Sequence, residues 1–76
     1  MNPEDTLVTA ISEWLAGHLG DAELLGRLES LPKEGLSSQQ REAVDELVAE
    51  LSQPQASRGR LQMVARETLE TLALGS

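Results

Sequence analysis

The chain has 76 residues, thirteen acids against six bases and a formal net charge of −7, with no Cys, Tyr or Phe, one Trp and one His. That allows one domain at most and removes disulfides and thiolate metal sites. A chain this short buries only ~60% of the surface its unfolded form exposes, so stability must come from helix packing, an oligomer or a partner.

Fourteen leucines and eight alanines dominate the apolar residues, while Val and Ile together number five. Good helix formers abound and strand formers are scarce, which predicts an all-α protein. Residues 1–76 read as one helical domain, a compact three- to four-helix bundle. Its short connections make consecutive helices antiparallel neighbours.

The first helix is expected over about residues 3–18. Asn2 is a cap residue, Pro3 suits the first helical position, and Glu4 and Asp5 suit the first turn. Leu7, Val8, Ile11, Trp14, Leu15, His18 and Leu19 share roughly 140° of arc. Gly17 and Gly20 end the helix. A second helix, about 22–31, would be capped by Asp21 and stopped by Pro32, with a turn at Lys33-Glu34-Gly35. It presents Leu24, Leu25, Leu28 and Leu31, keeps Gly26 on its back, and orders Glu23 and Arg27 for an i,i+4 pair. It is short enough to be a packed turn. Ser37 and Gln40 match a capping box for a third helix, about 38–51, whose narrow stripe is Val44, Leu47, Val48 and Leu51. Residues 52–59 read as a loop or as the start of helix four, since Ser52 and Gln55 also resemble a capping box. Helix four, about 56–74, buries Leu61, Val64, Ala65, Thr68, Leu69 and Leu72, with Gly75 as its stop.

Chemistry is sparse. His18 is the one imidazole, with Asp21 and Glu23 nearby in sequence. A single His without a second imidazole or thiolate is a poor transition-metal set, and as a cation it suits a helix end. There is no Gly-x-Ser-x-Gly elbow, no phosphate-binding glycine loop and no calcium-loop spacing of acids. The expectation is a protein that is not an enzyme and needs no cofactor or metal. No apolar run reaches the ~18 residues of a membrane span, and Met1 to Asp5 carry acid without base, against a leader peptide. A cytoplasmic place is expected, and the Arg-, Ala- and Gly-rich composition suggests a bacterial source.

The charge is uneven. Residues 1–31 sum to −5, residues 32–52 to −3 and residues 53–76 to +1. Glu42, Asp45, Glu46 and Glu50 make an acidic strip on helix three, either an ordinary solvated face or a site for a basic partner. That helix would be repelled as a DNA-recognition helix. Arg58, Arg60 and Arg66 make the start of helix four basic, for salt bridges to helices one and three or for weak DNA contact. Met63 and Leu74 fall opposite the core side of helix four. Trp14 is a core anchor or a partner-facing hot spot. The wide arc of helix one exceeds what one neighbour needs, which predicts a homodimer through helix one or four.

Partner-binding candidates are therefore Trp14, His18, Glu42, Asp45, Glu46, Glu50, Met63 and Leu74. The favoured function is a non-catalytic protein–protein interaction module, a small bacterial adaptor or regulator. The alternatives are an acidic inhibitor covering a basic groove, such as an antitoxin, immunity protein or phage-encoded blocker, and a weak DNA-binding regulator.

Overall fold

A computed structural model describes residues 3–31 and 34–74. It is all-helical: α1 is Pro3–Leu15, α2 Asp21–Ser30, α3 Ser38–Ser52 and α4 Arg58–Leu74. Among the described residues there is no strand. The expected Asn2 cap, Pro32 stop, Gly75 stop and the Lys33 part of the turn lie outside them.

α1 stops at Leu15, three residues before the sequence reading ends it. Gly17 is the reason. It adopts φ 85, a left-handed conformation that costs a side-chain-bearing residue energy. The His18 N–H then donates to Glu13 O at 2.9 Å and the Gly17 N–H to Trp14 O at 3.0 Å. These two bonds form a Schellman motif that satisfies carbonyls of the last turn. His18 is thereby taken off the helix and is exposed, so its expected place in the apolar stripe is wrong.

α2 is a full ten-residue helix, not a packed turn, and it packs on both α1 and α3. Its cap is Gly20, which makes no side-chain cap bond, and Asp21 is the first helical residue, not the cap. Arg27 meets Glu13 of α1 at 3.8 Å. The α3 capping box forms as expected: Ser37 Oγ accepts from the Gln40 N–H at 3.1 Å, and Gln40 Oε1 accepts from the Ser37 N–H at 2.9 Å. Ser52 is not a cap, since its hydroxyl donates back to Val48 O at 2.8 Å. Residues 53–57 are loop, with a turn at Pro54 and Gln55, and α4 starts where Ser57 Oγ accepts from the Arg60 N–H at 3.2 Å.

Each helix packs on its neighbour in sequence, and α1 closes the ring by packing on α4. Among the described residues the backbones of the diagonal pairs do not approach closely, and α1 and α3 meet only through side chains such as Gln40 and Glu4. Gln40 reaches Leu72, Thr68 reaches Ala43 and Arg60 reaches Glu50, so α3 and α4 run antiparallel. The buried core is Leu7, Ala10, Ile11 and Trp14 of α1, Leu24 and Leu28 of α2, Val44 and Leu47 of α3, and Leu61, Val64, Ala65 and Leu72 of α4. Leu19 and Leu36 enter it from the loops. The wide apolar arc of α1 thus serves two neighbours within the chain, and a second subunit is not needed to explain it.

Candidate functional site

Two polar fasteners hold opposite ends of the bundle. At one end, Trp14 is 1% exposed, and its Nε1–H donates to Asp21 Oδ1 at 2.6 Å. The Arg58 guanidinium covers the ring at 5.6 Å from its centroid, a cation–π contact. The end of α1 and the starts of α2 and α4 are tied through this one indole. Trp14 is therefore a core anchor, and no open face of it is left for a partner.

At the other end, Gln40 is 3% exposed although it belongs to a helix's first turn. Its Nε2 donates to Leu72 O at 3.3 Å and to Glu4 Oε2 at 3.4 Å. The start of α1, the start of α3 and the end of α4 meet on one carboxamide. Thr68 is also buried, and its hydroxyl donates to Val64 O at 2.8 Å beside Ala43 O at 3.3 Å. Among the described residues no buried side-chain polar atom lacks a partner.

The acidic strip is present but shorter than expected. Glu42, Asp45 and Glu46 are exposed on the outer side of α3. Glu50 turns from that row into the α3–α4 groove, where its carboxylate accepts from Arg60 Nε at 3.2 Å and Nη2 at 3.1 Å. Glu50, by hydrogen bond and then by charge, raises the Arg60 pKa above its ordinary value, with smaller help from Glu46 and Glu67. Of the three arginines considered for DNA, Arg58 lies on Trp14 and Arg60 on Glu50, while Arg66 is exposed.

Met63 is 50% and Leu74 72% exposed, as their place opposite the core predicts. Between α1 and α2, Asp5, Thr6, Thr9 and Arg27 line an open groove of about 350 Å³, on which no imidazole lies. His18, Asp21 and Glu23 do not form a metal set, and among the described residues no group of three or more His, Asp or Glu could hold a metal ion. Nor, among the described residues, is any helix long and apolar enough to cross a membrane.

Sequence reasoning missed the second role of Gln40 and the Trp14–Asp21–Arg58 contact. Their partners lie 32 residues away for Gln40 and 44 for Arg58, beyond any local pattern. A polar residue at a first-turn position that also faces the stripe was the available signal for Gln40. Comparison with protein-family models, curated proteins and solved structures finds no match to the chain.

Proposed function

We propose that the chain is a non-catalytic protein–protein interaction module that receives a basic surface of another protein on the outer face of α3. The observation that supports this is the outward row of Glu42, Asp45 and Glu46, all exposed on one helix of a chain whose net charge is −7. Such a row raises the local concentration of a basic partner and speeds its encounter. An adaptor and an inhibitor would use the same face, and only the partner's own activity separates them. Composition supports a bacterial cytoplasm as the setting. Direct DNA contact has less support, because two of the three basic side chains are engaged within the chain.

Affinity capture from native lysate tests the reading, with the wild type run beside Glu42→Lys/Glu46→Lys. A partner held by the wild type, lost by the variant and released in about 0.5 M salt supports it. Equal retention by both proteins at high salt removes α3 as the binding face.

Self-association remains the competing use of the exposed apolar residues. It would run through α4, since the apolar arc of α1 is covered within the chain.

A further inference from the structure

Met63 and Leu74 are not scattered. Eleven residues make three turns of about 3.67, so both side chains lie on one line along α4, ~16 Å apart. The residues between them on that line are Glu67 and Glu70, both exposed. The order is apolar, acid, acid, apolar at four-three-four spacing, the register by which one helix presents a seam to another. Arg60, three and seven residues before Met63 and Glu67 on α4, donates to Glu50 of α3 at 3.1 Å, which brings the start of the α4 line beside the acidic helix α3. Arg66 is exposed one residue before Glu67.

A second copy of the chain fits this line poorly. Antiparallel pairing that seats Met63 on Leu74 sets Glu67 against Glu70 of the second copy. Parallel pairing sets each Glu against itself. Either arrangement juxtaposes like charges between two chains of net charge −7 each.

We infer that the outer stripe of α4, with the neighbouring acids of α3, docks an amphipathic helix of another protein that carries two Lys or Arg residues between two apolar ones. The basic pair covers Glu67 and Glu70, and the apolar residues cover Met63 and Leu74. This rests on the proposed reading of an acidic module and adds the shape and pattern of its partner.

The probe is a synthetic helical peptide with Leu, Lys, Lys and Leu at four-three-four spacing on an Ala/Gln background. It is titrated at low salt into the ¹⁵N-labelled full chain while backbone amide shifts are followed. Shifts clustered on α4 from residue 59 onward and on residues 42–46, with affinity reduced roughly tenfold or more in Glu67→Lys/Glu70→Lys, are expected. Met63→Ser/Leu74→Ser, a surface change, weakens binding without altering the far-UV spectrum. No shifts at millimolar peptide overturn the proposal. So do shifts confined to α1 and α2, or equal binding of a peptide with Glu in place of Lys. A low-salt dimer in sedimentation that Met63→Ser/Leu74→Ser abolishes assigns the stripe to a second copy and also overturns it. If the peptide fails while Glu42→Lys/Glu46→Lys still releases a captured partner, the helix is withdrawn and the acidic face of α3 stands.

Discussion

Replacing Gln40 by glutamate separates two accounts of one residue. As the third residue of a capping box, position 40 should accept glutamate without loss, because a carboxylate there receives the Ser37 N–H and suits the helix start. The structure adds Nε2 donation to Leu72 O at 3.3 Å and to Glu4 Oε2 at 3.4 Å. Both contacts vanish in Gln40→Glu, and each is long, contributing about 0.5 kcal/mol. A carboxylate at 3.4 Å from that of Glu4 would repel it by about 5 kcal/mol at an effective dielectric of about 20. Glu4 is half-buried and can swing outward, so a net loss of about 2–3 kcal/mol is expected. A domain of this size has about 4–11 kcal/mol in total, at ~0.05–0.15 per residue. The midpoint of thermal unfolding, followed by far-UV circular dichroism, should fall by about 10–20 °C. A Gln40→Glu protein as stable as the wild type would show that the three-helix junction contributes nothing.

Two glycines should respond in opposite directions to alanine. Gly17→Ala costs about 1–2 kcal/mol because of φ 85, although space around it is open, whereas exposed Gly26→Ala inside α2 gains about 0.5–1 kcal/mol; urea midpoints that move together would refute the Schellman assignment. Asp21→Ala removes the acceptor of the buried indole N–H and should cost about 1 kcal/mol, and Trp14→Phe should leave little further effect of Asp21→Ala; additive losses in that double-mutant cycle would deny the coupling. Glu50→Gln should destabilise slightly at low salt and not at all in about 1 M salt, because Arg60 is exposed. The Arg60 pKa is raised on folding, so its contribution is complete at neutral pH and is lost only as pH rises into strong alkali. Calorimetry at neutral and mildly alkaline pH should therefore show the same Glu50→Gln difference.

What could be read from the sequence was what short-range chemistry decides. The Ser37–Gln40 box is local, and it forms. Every residue placed on the inner face of α4 is buried or half-buried, because a single periodicity runs through that helix without interruption. The errors arose where a local pattern met a longer-range constraint. Periodicity carried His18 onto helix one, but the backbone at Gly17 had already left the helix. Asp21 resembled a cap, yet its carboxylate is drawn to Trp14 seven residues earlier. The wide arc of α1 suggested a missing partner because counting faces does not show that a four-membered ring gives every helix two neighbours. Glu50 appeared to belong to the outer acidic row, and only the antiparallel register of α4 brings Arg60 to it.

Trp14 is the sole aromatic residue, so it supplies the whole near-ultraviolet signal of the protein. It sits where α1 ends and α2 and α4 begin, while the Gln40 junction is at the far end of the bundle, about 15 Å up α1 if measured from Glu4 to Trp14 along the helix. Fluorescence therefore watches one end of the molecule and is blind to the other. Loosening around Glu4, Gln40 and Leu72 would pass unseen by emission yet register in amide circular dichroism. A gap between the two midpoints would measure how far this small bundle opens from one end before it unfolds.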